Sequence, residues 1–512
     1  FLGEHGQAKI ILEVSELPLV QGIQPPWEPS SISCLVFDPQ KPSTDWMRRS
    51  REEEGGSTCF EAALRLVRLT CREKPTTAGK VLVDAFGQRE RAEWPGKITS
   101  REQLREAVAK EKLPPGGGEA TGRDRRGART RREEGEGTGF FRVGKDADGR
   151  WWFHDPDGRR FWSFGVTGVR LTDATTLSGR EDFFRALPGA AGRFAAARNP
   201  KSNSPANRSP DLETVGFYYW NVLRKYDTEA DWARRVADRF RSWGLNTLGN
   251  WSEIDRFRDS GLAYTLTLTT RLDGFRRIGG RFPDLWEPGW EEAFEAEVRR
   301  RAKGREEDPA LLGYFVDNEL PWGRLERELG STPVASAAEY AEQYFAKVAE
   351  ICRRVLPNHL YLGCRLVRRR PEEAVCRAAG RHCDVVTVNS YDVWPRREPF
   401  GEWHELTGRP ILLGEHHFPL RGPRQLPPLY PAFTTEERER LYKELVEKWA
   451  RQPWSLGCHW FQWADQPLTG RAADGENQTI GFVDIADNPH TDLVAAARFA
   501  SANLYKWHAA SG

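Results

Sequence analysis

Two short apolar segments of the chain each lead into a glutamate. Residues 311–316 precede Asn318 and Glu319, and residues 411–414 precede Glu415. An apolar run of this length, bounded by turn residues, is typical of a strand buried on both faces of a parallel sheet. Active sites of parallel α/β barrels lie at the carboxyl ends of such strands. Two carboxyl groups at one rim are the groups that hydrolyse a glycosidic bond, one as acid and base and the other as nucleophile.

The strands that position these glutamates alternate with helices. Apolar residues recur at helical spacing in segments 231–243, 290–303, 337–355 and 435–451. The strand-like segments are 161–169, 246–249, 263–268, 311–316, 360–364, 385–389, 411–414 and 457–461. The alternation predicts an α/β fold, a (β/α)₈ TIM barrel, with Glu319 after the fourth strand and Glu415 after the seventh. An open doubly wound sheet is the alternative, although the Gly-x-Gly-x-x-Gly motif of dinucleotide sites does not follow the first strand.

Three regions are predicted along the chain. Residues 1–95 contain short strand-like runs and turns, which predict a small β-sandwich-like, carbohydrate-binding-like domain. Residues 96–139 contain a short amphipathic helix, at 100–113, and then a Gly-, Arg- and Glu-rich linker with too few apolar residues to form a core. Residues 140–512 form the catalytic barrel.

Composition limits the classes of partner. The 76 basic and 74 acidic residues give a net charge of +2, so we expect neither a nucleic acid nor a membrane as partner. No apolar segment approaches the length of a membrane-spanning helix. The chain contains an unusually large number of tryptophans, 20. We expect more than half of them to pack in the core and some of the others to stack on sugar rings.

The motifs around the glutamates resemble a known family. Asn-Glu after strand four and Glu after strand seven resemble clan A of the retaining glycoside hydrolases, and the flanking motifs resemble the family 50 β-agarases. These motifs lie at 139–142, 149–152, 155–158, 164–165, 243–252, 314–319, 463–467, 469–471, 474–477 and 481–484, with connector motifs at 84–88 and 94–97. The resemblance spans roughly residues 80–507 and does not cover the first 80 residues.

The resemblance implies a role for each residue that matches a motif. Glu319 is implied as the acid/base and Glu415 as the nucleophile. Asn318 would bind the sugar 2-hydroxyl, and Tyr391 would orient the nucleophile. Trp463 is expected to form the stacking floor under the cleaved sugar, with barrel packing as the alternative.

Further substrate contacts are expected at the same rim. Trp322 and Trp394 are candidates for the walls of a polysaccharide groove. Glu476 and Asn477, in a loop after strand eight, fit either a sugar hydroxyl or a structural cation. The residues after strand two that are candidate sugar contacts are Asn246, Asn250 and Trp251.

Two histidines follow the second glutamate, which raises the alternative of a zinc hydrolase. No His-Glu-x-x-His or comparable spacing occurs, and His416 and His417 are adjacent, so on a strand they point to opposite faces. We therefore expect no catalytic metal and no cofactor. His416 is predicted to contact sugar or to pack beside Glu415.

These observations predict a retaining glycoside hydrolase that cleaves a β-linked polysaccharide by double displacement. The resemblance implies a β-galactan such as agarose as substrate, and secretion or export to the periplasm. Two alternatives stay open: another β-galactosidase or β-glucanase specificity on the same barrel, and a carbohydrate-binding protein on a scaffold that has lost catalysis. A binding protein needs neither glutamate.

Overall fold

The computed structural model describes most of the region predicted to form the barrel. Besides the strand pair Lys9–Ile10 and Leu35–Val36, the described residues are 81–114, 136–200, 212–330, 332–334, 336–367, 373–391, 400–421 and 432–509. The two N-terminal strands pair antiparallel. Otherwise residues 1–80 of the predicted N-terminal β-domain, most of the charged linker and Trp394 lie outside the described residues.

A parallel sheet that curls into a barrel organises the chain. Its strands are β1 (Ser163–Val166), β2 (Thr247–Leu248), β3 (Ala263–Leu268), β4 (Leu311–Val316), β5 in two pieces (Leu360–Tyr361 and Leu366–Val367), β6 (Val386–Asn389), β7 (Ile411–His416) and β8 (Ser455–Trp460). The sheet runs from the first piece of β5 through β4, β3, β2, β1, β8, β7 and β6 to the second piece of β5. Both ends of the sheet are therefore one segment of chain, and the predicted α/β, TIM-like architecture is confirmed.

Backbone hydrogen bonds on both sides of β5 bring the two edges of the sheet together. Val316 N donates to Gly363 O over 3.1 Å from the β4 side, and Val385 N donates to Tyr361 O over 3.2 Å from the β6 side. A closed sheet has no exposed edge, and its strand ends form one rim at each end of the barrel.

Helices surround the sheet and bury apolar faces against it. They are α1 (Arg101–Lys110), α2 (Phe217–Lys225), α3 (Glu229–Trp243), α4 (Trp290–Ala302), α5 (Leu325–Glu328), α6 (Ala337–Val355), α7 (Glu373–His382), α8 (Phe400–Thr407), α9 (Thr435–Ala450) and α10 (Thr491–Ala509). In helix α3 the residues at both ends explain where the helix begins and stops. Thr228 and Asp231 form a reciprocal capping box at its start, and Gly244 ends it with φ 79°.

The two ends of the barrel differ in polarity. A three-stranded antiparallel sheet (Arg142–Lys145, Trp151–His154 and Arg160–Phe161) lies at the amino end. Phe153 and Phe161 pack there against Leu312, Leu412 and Leu456 inside the barrel. The carboxyl end holds the polar residues that follow the strands, so the candidate chemistry is confined to one rim.

The segment 81–114 lies against the barrel. Asn221 Nδ2 on α2 donates to Phe86 O over 2.7 Å, and Phe86, Ile98 and Leu104 form a small apolar cluster with Ala486. The helix α1 begins where Ser100 Oγ accepts from Gln103 N, within the segment 100–113 predicted to be helical. None of the helices in the described part of the chain combines the length and apolar composition that a membrane crossing needs.

Candidate active site

The end of β4 turns sharply before it presents its glutamate. Asp317 and Glu319 adopt left-handed backbone conformations, with φ of 61° and 52°. Such conformations are strained for residues other than glycine and persist only where surrounding contacts hold them. The Asp317 carboxylate supplies those contacts, because it accepts hydrogen bonds from Thr270 N (2.9 Å), Thr269 Oγ1 (3.0 Å) and Tyr344 OH (2.9 Å).

Glu319 is half-buried and hydrogen-bonded to the next strands. Its Oε1 accepts from Asn389 Nδ2 at the end of β6 over 2.8 Å, and its backbone N donates to Arg365 O over 3.2 Å. Burial and the negative charge of Glu415 raise the pKa of Glu319, while Asn389 and Arg365 oppose part of that shift. Glu319 therefore stays protonated to a higher pH than an exposed glutamate, as a general acid requires.

Glu415, on β7, lies at the centre of three donors. Trp251 Nε1 donates to Oε1 over 2.8 Å, Arg365 forms a salt bridge to the same oxygen, and Tyr391 OH donates to Oε2. Only 4% of Glu415 is exposed. The surrounding donors hold its carboxylate in one orientation, which suits a group that must attack a fixed carbon atom.

The rim also holds an amide and aromatic rings. Asn318 Oδ1 accepts from Arg365 Nε over 2.8 Å and from Asn389 Nδ2 over 3.3 Å. Tyr391 lies beside His417, with ring centroids 4.5 Å apart. Burial of the hydroxyl group and the adjacent Glu415 carboxylate raise the pKa of Tyr391 well above its usual range, so it stays a hydrogen-bond donor.

A loop after β8 closes one side of the rim. Glu476 Oε2 accepts from Gln466 Nε2 over 2.6 Å and from Arg471 Nη2 over 3.0 Å. Burial raises the pKa of Glu476, the ion pair with Arg471 opposes the shift, and the Glu415 charge adds to it. Asn477 is half-buried in the same loop and donates to Leu468 O over 3.4 Å. Arg471 also lies over the ring of Phe461, at 5.4 Å.

Two tryptophans predicted to line the substrate groove are buried instead. Trp463 has no exposed surface, stacks on Trp243 at 5.6 Å and donates to Tyr218 OH over 2.8 Å. Trp322 is 3% exposed and stacks on Phe345 at 5.6 Å. The groove role predicted for both rings is wrong, because they pack between elements of the barrel and leave no face for a sugar. For Trp463 the alternative of barrel packing holds.

Two asparagines predicted to contact substrate are also buried. Asn246 joins β1 to β2, since its Oδ1 accepts from Phe164 N over 2.8 Å and its Nδ2 donates to Trp162 O over 2.9 Å. Asn250 has no exposed surface, and its Oδ1 accepts from Thr267 Oγ1. The predicted sugar contacts at Asn246 and Asn250 are therefore wrong, whereas Trp251 does reach the rim.

The two histidines after Glu415 separate as their alternation on a strand predicts. His416 is 1% exposed and packs against Trp460 at 5.5 Å and Tyr442 at 5.7 Å, so it does not reach substrate, and the packing alternative holds. Burial lowers the pKa of His416 to about 3. His417 points to the other side, where its Nδ1 lies 3.0 Å from Phe461 O.

Three residues of the rim were missed by the sequence analysis. Asn389 contacts Glu319, Arg365 contacts Glu415, and the Phe461 ring lies 6.2 Å from Tyr391. Each stands at or just beyond the carboxyl end of a barrel strand, or at the break in one. Glu319 was predicted from its place after a barrel strand, and the same criterion could have predicted these three residues.

Comparison with known proteins finds agarases that are similar to this chain. No family model matches the chain. Its sequence is 28% identical to β-agarase B and 27% identical to β-agarase A, both of Vibrio sp. (strain JT0107). Each match covers 83% of this chain but only 54% and 52% of the respective relative, so the chain spans about half the length of these curated relatives.

Solved structures of agarases share the fold. The agarase AgWH50C superposes with a TM-score of 0.75 at 26% identity, covering 85% of this chain and 74% of that one. An exo-β-agarase superposes with a TM-score of 0.74 at 25% identity, covering 84% of this chain and 73% of that one. The chain is thus similar in sequence and structure to β-agarases, in agreement with the motifs at its strand ends.

Proposed function

We propose that this protein is a retaining glycoside hydrolase that cleaves a β-galactan such as agarose by double displacement. The observation that carries the proposal is the unlike pair of carboxyl groups at one rim of the barrel. Burial and a neighbouring charge raise the pKa of Glu319, whereas three donors hold Glu415. That difference separates a proton donor from a nucleophile. The similarity to β-agarases supports the choice of substrate.

In the first step Glu415 attacks the anomeric carbon while Glu319 protonates the departing glycosidic oxygen. Asn389 keeps the acid oriented through its bond to Oε1. In the second step Glu319 takes a proton from water, which hydrolyses the glycosyl-enzyme. Tyr391 and Trp251 hold the nucleophile through both steps.

The side chain of Asn318 is proposed to bind the sugar 2-hydroxyl. Its oxygen is engaged by Arg365 and Asn389, and its Nδ2 donates to no other described residue. That amide nitrogen is the group available to a hydroxyl, and such a bond strengthens in an oxocarbenium-like transition state. On the basis of this arrangement we propose that the enzyme uses the catalytic mechanism of the clan A glycoside hydrolases.

The division of the chain and its location are proposed with the function. Residues 1–95 would form an accessory β-domain, 96–139 a connector and 140–512 the catalytic unit. By its similarity to β-agarases, the enzyme is proposed to be secreted or periplasmic. Glu476, Asn477 and Trp251 are proposed as further sugar contacts on the walls of the site.

Product analysis on a panel of polysaccharides tests this proposal. We expect oligosaccharides to be released from agarose and not from cellulose, xylan or starch, with the Glu415→Ala variant as the inactive control. Release of oligosaccharides only from another β-galactan or from a β-glucan would show that the same chemistry acts on a different substrate. Binding to agarose without release of any product would show a carbohydrate-binding protein instead.

A further inference from the structure

One arginine contacts both halves of the proposed catalytic pair. Arg365 lies at the break between the two pieces of β5, with φ 55°, and its side chain is fully buried. Its Nε donates to Asn318 Oδ1 over 2.8 Å, and its Nη2 donates to Gly414 O over 3.2 Å and forms the salt bridge to Glu415 Oε1. Its backbone oxygen accepts from Glu319 N over 3.2 Å.

The surroundings of Arg365 are shaped to hold a planar guanidinium. The group lies over the ring of Phe315 at 4.7 Å. A Cβ on Gly414 would lie 2.6 Å from Thr387 Cγ2, 2.8 Å from Asn389 Oδ1 and 3.2 Å from Arg365 Nη1, so a larger residue at this point of β7 would crowd the guanidinium and the side chains beside it. A guanidinium donates in several fixed directions at once, which a lysine ammonium at the same place cannot reproduce.

We infer that Arg365 is a positioning residue that fixes the acid/base and the nucleophile relative to each other. This inference rests on the proposed function. Arg365 has no exposed surface with which to touch a sugar, so it acts through Asn318, Glu319 and Glu415. Its guanidinium group binds Asn318 after β4 and Glu415 on β7, and its backbone oxygen binds the strained turn that carries Glu319. The barrel thus sets the spacing of the two carboxyl groups through one side chain from a third strand.

The same residue sets the charge balance of the pair. The positive charge of Arg365 lowers the pKa of Glu319 and so opposes the effects of burial and of Glu415. Removing that charge must therefore raise the pKa of Glu319 further. Because the general acid works only while protonated, the alkaline limb of the pH–rate profile should then move to higher pH.

Two substitutions separate geometry from charge. Arg365→Lys keeps the charge but cannot bridge Asn318 and Glu415, so we expect kcat to fall by about 10²-fold with the alkaline limb unmoved. Arg365→Gln loses both, so we expect at least that fall and an alkaline limb shifted to higher pH. Because Arg365 does not reach substrate, KM for an agaro-oligosaccharide should change much less than kcat in both variants.

Arg438 provides the matched control. It is equally buried, and its Nε and Nη2 donate to Asp492 over 2.6 and 2.9 Å, between α9 and α10. Arg438→Gln should lower stability, yet leave kcat per folded molecule and the pH profile as in the parent. Thermal unfolding of each variant gives the folded fraction to which kcat is referred.

The outcomes distinguish this inference from the proposed function. A parent enzyme without activity on any polysaccharide would refute the proposed function. Crystal structures of the Arg365 variants would still test the inference in that case. Displaced carboxyl groups of Glu319 or Glu415 would support it, and unmoved ones would overturn it. With an active parent, an Arg365→Lys variant of full kcat overturns the inference. So does an Arg365→Gln variant whose alkaline limb stays at the parental pH.

Discussion

Glu319 and Glu415 differ in what surrounds their carboxyl groups, and that difference predicts different consequences when each is removed. The Glu319 carboxyl group accepts one hydrogen bond, from an amide, and lies beside the negative charge of Glu415. The Glu415 carboxylate accepts hydrogen bonds from three side chains, each from a different part of the rim. A carboxyl group of the first kind donates and accepts protons. A carboxylate of the second kind is fixed for attack on carbon.

Substitution of each glutamate by alanine, followed by chemical rescue, separates the roles. Glu415→Ala should lose nearly all activity because no glycosyl-enzyme can form, and azide should restore turnover with an α-glycosyl azide as product. Glu319→Ala should lose about 10²–10⁴-fold on natural substrates. An aryl glycoside with an acidic leaving group should still react with that variant, and azide should give a β-glycosyl azide. A β-azide from Glu415→Ala would show that the roles are reversed.

The raised pKa of Glu319 also predicts a stability effect. A carboxyl group whose folded pKa lies above its unfolded value stabilises the protein only while protonated, so that contribution is lost as the pH rises through the folded pKa. Glu319→Gln should therefore raise the melting temperature at neutral and alkaline pH and leave it unchanged below about pH 4. Glu444→Gln, at an exposed ion pair on α9, should change little at any pH. Calorimetry across this range checks it, and a lower melting temperature for Glu319→Gln at pH 8 would contradict it.

At the scale of single elements, the end of β8 decides which aromatic ring lies at the carboxyl rim of the barrel. The sequence pointed to Trp463, but that ring lies between Trp243, Phe240 and the Tyr218 hydroxyl group. Phe461, two residues earlier, is the ring beside Tyr391 and His417. Phe461 is only 6% exposed and Arg471 lies over its ring, but it is the aromatic ring of β8 that reaches the rim. We therefore propose Phe461 as the stacking surface and expect Trp463 to stabilise the fold.

Alanine substitutions at these two positions test the assignment. Trp463→Ala should lower the free energy of unfolding by about 3–5 kcal/mol, because it leaves a large cavity, with kcat of the folded fraction little changed. Phe461→Ala should weaken transition-state binding of the polymer by about 1–3 kcal/mol. Denaturant unfolding and kcat/KM on agarose measure the two effects. A Phe461→Ala variant as fast as the parent would contradict the assignment.

The strands and the main helices could be predicted from periodicity, and the side-chain contacts could not. Segments 311–316 and 337–355 coincide with β4 and α6, since a buried strand and an amphipathic helix leave a local pattern. Trp322 was misassigned because residue type and position do not say which way a side chain turns after a strand. Asn246 was misassigned because it lies just before β2, at the end of that strand away from the carboxyl rim. Arg365 and Asn389 stood at positions that the strand-end rule already covers, so applying it to every strand would have found them.

At the scale of the whole molecule, a buried charge network ties the connector to the barrel. Asp487 accepts from Arg239 Nη1 over 2.8 Å, from Tyr218 and Tyr226, and forms an ion pair with Lys225 at 3.3 Å. Arg239 also pairs with Glu111, just after α1, at 2.9 Å. One carboxylate therefore holds α2 and α3 together, and the arginine that it binds also holds the connector.

Removal of that carboxylate should destabilise the protein strongly. Asp487→Asn removes the carboxylate that Arg239 and Lys225 share, which leaves Lys225 without its ion-pair partner and Arg239 with Glu111 alone. The loss of a buried charge partner costs about 3–5 kcal/mol in the free energy of unfolding. Burial alone would raise the pKa of Asp487, but Arg239 and Lys225 lower it below its usual value. Its contribution is therefore present above the unfolded pKa and lost as the pH falls through the folded one. Denaturant unfolding at pH 7 should show the loss, with Glu447→Ala at a surface pair as control; equal stability of the two variants would contradict it.

The stereochemistry of the first product tests the double-displacement account most directly. If Glu319 and Glu415 act as acid/base and nucleophile, their carboxyl groups lie at the retaining separation of about 5–5.5 Å and two inversions occur at the anomeric carbon. Proton NMR of agarose hydrolysis in its first minutes, before mutarotation, should show the β-anomer of the new reducing end, with the α-anomer growing in later. Initial formation of the α-anomer would contradict the covalent mechanism and require a water molecule between the two glutamates.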